Sequence, residues 1–247
     1  MGADKADKFV LFDSLLHRGK PNLQRAGLQS LPPVANIWRN GASKDLVDEV
    51  GVQLALKHLP RDTSTFFIDI ENWPVLKATP EIRRESIGKL IRVVSIARQV
   101  MPHTKFGFYG LPPTITYWPL VDRRPADYND WVNSNNELAA LAEVVDFILP
   151  SLYTFYDDRS GWLTYADKTI RAARQYGKPV YPFLWYEYHD SNFFLRGHEI
   201  ALAAWIEELQ FCHNQCDGVV LWGGAERGWS ESAKWWQAVR SEFNLTT

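Results

Sequence analysis

The chain has 247 residues, a formal charge of −2 and a near-even balance of 27 basic and 29 acidic residues. No run of lysine or arginine makes a stripe that tracks a phosphate backbone, which sets nucleic acid aside as a partner, and no apolar stretch reaches the roughly eighteen residues of a membrane span. Aromatic residues are the anomaly: 11 Trp, 10 Tyr and 13 Phe serve first to fill a large core, yet they are also the flat apolar faces on which sugar rings lie.

In chain order, short apolar runs rich in β-branched and aromatic residues stand at 9–12, 34–38, 65–70, 105–109, 145–149, 179–185 and 218–222. Such runs read as strands covered on both faces. Amphipathic helical patterns lie between them at 80–101, 165–176, 199–212 and 230–243; the first has Ile82, Ile87, Leu90, Ile91 and Val94 at helical spacing. Thr79 before Pro80 predicts an N-cap with proline at the first helical position, and Gly177 predicts a helix stop. Cys212 and Cys216 fall one helical turn apart, a poor disulfide geometry, and are expected as free, buried thiols. The alternation predicts a parallel sheet in an α/β, TIM-like (β/α) barrel, one domain over residues 1–247, with seven strands against the standard eight. No G-x-G-x-x-G follows the first strand, so a dinucleotide cofactor is not expected.

Barrel chemistry sits at the C-terminal ends of strands. There Asp69 and Glu71 stand two apart after an apolar run, so that in extended chain both side chains leave the same face. Crowding two carboxylates should raise the pKa of one, as a general acid at neutral pH requires. The plainer reading puts Glu71 in the loop and makes Asp69 a turn cap. Further strand ends carry Tyr109, Tyr153, Trp185, Tyr186 and Trp222, a ring-lined cleft around the acids or else rim packing. Ser14, Ser43 and Ser151 lack a nucleophile-elbow setting. Asp69, Glu71, Asp146 and His189 are hard metal ligands by type, but no H-E-x-x-H or paired-histidine spacing supports a metal, and none is expected; His189 reads as a rim histidine.

Five motifs in order resemble the hyaluronidase family of glycoside hydrolases. They are Asp69-Ile-Glu71-Asn-Trp73, Gly107-Phe-Tyr109-Gly-Leu-Pro112, Asp146-Phe-Ile-Leu-Pro150-Ser151-Leu-Tyr153, Pro182-Phe-Leu-Trp185-Tyr186-Glu-Tyr188 and Asp217-Gly218-Val-Val-Leu-Trp222-Gly223. The resemblance implies a distorted seven-stranded barrel and a retaining glycosidase that uses no cofactor. Glu71 would be the general acid/base. Asp69 would orient the substrate's N-acetyl group, whose carbonyl oxygen attacks the anomeric carbon, and Tyr153 would bond that group. Trp73, Tyr109, Trp185, Tyr186 and Trp222 would bind an oligo- or polysaccharide containing N-acetylhexosamine, with Trp222 as a wall of the cleaved sugar's site.

The chain departs from the family in lacking the animal disulfides, in being shorter, and in placing Pro74 and Glu187 where a basic residue is common. Both changes remove positive charge, so a neutral glycan is expected rather than hyaluronan. Two other readings are a carbohydrate-binding barrel without activity and a different D-x-E barrel hydrolase of muramidase or chitinase type. No signal peptide is visible; Met1-Gly2-Ala3-Asp4 fits a natural start as well as a start replacing a leader, and export is expected only in the second case. Oligomeric state has no signature in the sequence.

Overall fold

The structure is a computed structural model that describes residues 9–34, 37, 46–60, 63–122 and 124–245. Its strands are β1 (Val10–Leu15), β2 (Gln29–Ser30), β3 (Thr65–Ile68), β4 (Lys105–Phe108), β5 (Phe183–Trp185) and β6 (Gly218–Gly223). The helices are α1 (Glu49–Lys57), α2 (Pro80–Val100), α3 (Trp118–Val121), α4 (Pro125–Glu137), α5 (Ala139–Val144), α6 (Arg159–Arg174), α7 (Leu202–Gln215) and α8 (Lys234–Glu242).

All ladders are parallel and form two sheets, β2-β1-β6-β5 and β3-β4. Isolated parallel bridges connect them: Pro33 with Phe67, Tyr109 with Leu149, Ile148 with Val180 and Ser151 with Phe183. Followed round, these pairings link seven segments, the seventh being the stretch 148–151 between β4 and β5. The expected strand at 145–149 therefore exists only as bridges, displaced toward its C-terminal end. Asp146 N–H already reaches Phe106 O at 2.9 Å, and Pro150 has no N–H to extend a ladder. The expected strand at 34–38 falls largely outside the described residues; pairing on this side occurs earlier, at Gln29–Ser30 and Pro33, with Val34 N–H donating to Phe67 O at 2.8 Å.

The helix starts follow their caps. Thr79 Oγ1 accepts from Ile82 N–H at 3.4 Å, with Pro80 opening α2. Asp158 Oδ1 accepts from Gly161 N–H at 2.8 Å and starts α6 six residues before the apolar pattern at 165. Gly177, with φ at 65°, reverses the chain after α6. Helix α7 begins at Leu202 rather than 199, because Glu199 bridges to Glu187 and Ile200 N–H donates to Tyr186 O at 2.9 Å. Cys212 and Cys216 are free and buried. Rings fill the interior of the strand assembly: Phe12 and Phe147 pack on Tyr181 with centroids 5.0 and 5.8 Å away, and Phe67 meets Phe183 edge-on at 5.0 Å. The last pair forms the floor on which the polar strand ends stand.

Candidate active site

Strand β3 loses its ladder at Ile68, yet its side-chain alternation continues. Phe67, Asp69 and Glu71 all line one cavity of about 700 Å³, while Ile70 between them is buried on the other side. Both acids thus stand beyond the last paired residue and still share a face. Asp69 is partly buried and Glu71 exposed. Burial pushes the Asp69 carboxyl from 3.8 up to about 6, and the neighbouring Glu71 charge adds to the rise. The rise expected of a general acid thus falls on Asp69, the acid to which the family resemblance gives the orienting role.

The facing walls are aromatic. Tyr109 and Tyr153 lie with ring centroids 5.6 Å apart, and Tyr109 Oη donates to Ser151 Oγ at 3.3 Å. Burial, first of all, raises both phenols well above their ordinary value, so each remains a neutral hydrogen-bond donor at working pH. Tyr153 is held by its flanks: Tyr165 Oη donates to Ser151 O, Trp162 Nε1 donates to Leu152 O at 3.0 Å, and Thr154 Oγ1 donates to the buried Glu208 at 2.6 Å. Trp185 sets its ring edge-on to Tyr153 at 5.6 Å, and its buried indole N–H has no partner among the described residues. Trp222 stands over Phe67 at 6.3 Å. His189 stacks on Tyr153 at 5.6 Å, and burial lowers its pKa, which keeps it neutral.

Among the residues singled out from the sequence, Asp69, Glu71, Tyr109, Tyr153, Trp185, His189 and Trp222 come together here. Trp73 and Tyr186 do not. Trp73 is buried beside the adjoining groove formed with Val75, Leu111 and Ile115, and Lys89 lies over its ring at 5.8 Å. Tyr186 follows Trp185 in extended chain and so faces outward, stacked on Trp235 at 4.2 Å with its hydroxyl 2.8 Å from His17 Nε2. Asp146 is also elsewhere, paired with Arg98 at 2.5 Å. Gly197, Glu226 and Arg227 were not foreseen from the sequence; they join Glu187 and Asp190 in the lining supplied by the loops after β5 and β6. Glu187 had a signal: it stands two residues after Trp185 and shares its face. The buried Glu187 carboxylate pairs with Arg227 Nε at 2.8 Å, and burial raises its pKa despite that partner. Among the described residues, no group of three or more His, Cys, Asp or Glu is arranged to hold a metal.

No family model matches the chain, and no curated protein sequence matches it. Solved structures do. Bee venom hyaluronidase is similar with a TM-score of 0.65 at 16% identity, over 96% of this chain and 97% of that one. The fold is α/β with a parallel sheet, of TIM-barrel-like type. The same bee venom enzyme in complex with a hyaluronic acid tetramer is similar with a TM-score of 0.65 at 15% identity, over 96% of both chains. A protein from Bacteroides thetaiotaomicron, provisionally described as an α-L-fucosidase, is similar with a TM-score of 0.54 at 11% identity, over 97% of this chain and 85% of that one. At such identities the likeness concerns the arrangement of the backbone.

Proposed function

We propose that the chain is a retaining glycoside hydrolase that cleaves next to an N-acetylhexosamine, with the substrate's own acetamido group as nucleophile. The observation that carries this reading is that Asp69 and Glu71 share one ring-lined cavity at the strand ends. Glu71, open to solvent, gives its proton to the glycosidic oxygen as the acetamido carbonyl oxygen attacks the anomeric carbon and the bond to the leaving sugar breaks. Asp69, as carboxylate, holds the acetamido N–H and offsets the positive charge of the oxazolinium intermediate. Water then attacks the same carbon, its bond to the acetamido oxygen breaks to restore the N-acetyl group, Glu71 takes the water's proton, and two displacements leave the configuration retained. Tyr153, a neutral donor, bonds the acetamido oxygen. Tyr109, Trp185 and Trp222 pack the sugar faces.

The lining favours a neutral glycan. Among the described residues, Asp69, Glu71, Glu187, Asp190 and Glu226 face one arginine, Arg227, which Glu187 already neutralises. A polyanion entering this space meets like charge where water is partly excluded. The test is to incubate the protein with chitooligosaccharides, peptidoglycan, chondroitin and hyaluronan and to follow the first-formed anomer by proton NMR. Cleavage of the neutral chitooligosaccharides with retention is expected. Inverted product rules out the mechanism, and turnover confined to hyaluronan rules out the substrate class.

A further inference from the structure

Beyond His189 the chain leaves the cavity in a turn that carries two phenylalanines into solvent. Phe193 is 74% exposed and Phe194 86%. Their rings meet edge to face at 5.5 Å, and the Arg196 guanidinium lies 5.5 Å from the Phe193 centroid. The turn is a built one. Asn192 Oδ1 accepts from the N–H groups of Phe194 at 3.1 Å and Leu195 at 3.0 Å, and its Nδ2 donates to Phe155 O at 2.9 Å. Gly197, with φ at 74°, lets the chain turn back, and Arg227 donates to its carbonyl. The root of the turn is in the cavity wall: His189 stacks on Tyr153 and its Nδ1 lies 2.8 Å from Ser191 Oγ, while His189, Asp190 and Gly197 line the cavity.

Adjacent aromatic rings held in water by a fixed backbone gain nothing from the fold itself, and such a patch marks a surface that meets something. We propose that Phe193 and Phe194 form an outer sugar-binding subsite for the part of a neutral glycan chain that emerges from the cavity. The proposal rests on the glycosidase reading above and extends it from a single cleaved linkage to a polymeric substrate. Three observations choose this occupant. The turn is continuous with the cavity wall through His189. The exposed Asp190, Ser191, Arg196 and His198 flank the rings in the same turn, Arg196 against Phe193, which suits a sugar's mixture of C–H faces and hydroxyls. The same turn sets Asp190 and Glu199 against one arginine, so it has no basic cluster to hold an anionic membrane.

The experiment measures binding of short and long chitooligosaccharides by calorimetry in a Glu71→Gln background, with and without the pair Phe193→Ala and Phe194→Ala. Loss of the two rings should weaken long oligomers about threefold to tenfold and leave the shortest bound oligomer unchanged. Thermal stability should be unaltered, because both side chains are exposed. Equal affinities at every length with and without the rings overturn the outer subsite while leaving the cavity reading intact. A complete lack of binding to the Glu71→Gln protein with its rings present overturns the cavity reading, and the subsite with it. If the rings are instead needed for co-sedimentation with phosphatidylserine vesicles and not for long oligomers, the surface belongs to membranes and the proposal fails.

Discussion

Asp69 sits where two effects add. Its carboxyl is partly dry and faces Glu71, and both raise its pKa, to about 6 from 3.8. A folded-state pKa above the unfolded one means that folding favours the protonated form. The stability this confers is complete below about pH 3.8 and is lost as pH rises through about 6. Asp69→Asn removes the titration. The variant should therefore be more stable than the parent at neutral pH, by about 1–3 kcal/mol, with the difference vanishing below pH 4. Thermal unfolding followed across that range checks it; a neutral-pH loss of stability would mean that Asp69 is held by a favourable partner instead. A residue that costs stability where it stands is what a reacting group looks like, and here the cost comes from burial before it comes from Glu71.

Among the elements, alternation explains what could and could not be read in advance. The strands at 65–68, 105–108 and 218–223 were legible because buried aromatic and β-branched residues dominate them. The runs at 145–149 and 179–185 were read as strands as well, but Pro150, Pro179 and Pro182 remove donors, so 148–151 and 179–182 form only isolated bridges and the ladder is left to Phe183–Trp185. The two-residue strand Gln29–Ser30 has no apolar signal at all. Within the site, a strict period of two from Trp185 assigns the cavity to Glu187 and the outer face to Tyr186, whereas reading aromatic character alone picked Tyr186. Helices α1 and α4 went unread, although Asp48 caps the first by accepting from Gly51 N–H at 3.0 Å. Close packing of the elements leaves no room at Gly218 of β6, where a Cβ would stand 2.2 Å from the Val10 carbonyl oxygen of β1. Gly218→Ala should cost about 2–4 kcal/mol, because backbone must move. Gly88→Ala on the open face of α2, with nothing within 4 Å, should instead gain roughly 0.5–1 kcal/mol. Denaturant melts of the two variants side by side would show opposite signs; equal effects would contradict the register of β1 on β6.

At the scale of the molecule, the strand assembly concentrates its charge unevenly. Net charge is only −2, yet among the described residues the cavity gathers five carboxylates around one paired arginine. Selectivity by charge therefore belongs to the site and is invisible in the composition. Glu187→Gln frees Arg227 to face the cavity, and binding of uronate-bearing oligosaccharides should rise, most strongly at low ionic strength. Titrations at two salt concentrations test this, and unchanged affinity at both would remove Glu187 as a charge filter. The central claim is that Asp69 and Glu71 do chemistry on a sugar bound between the rings. Its most direct measurement compares parent and Glu71→Gln for both hydrolysis and binding of a cleaved chitooligosaccharide. The account predicts hydrolysis lower by at least about 10²–10⁴-fold with affinity nearly unchanged. Hydrolysis that persists at the parental rate in Glu71→Gln would contradict it.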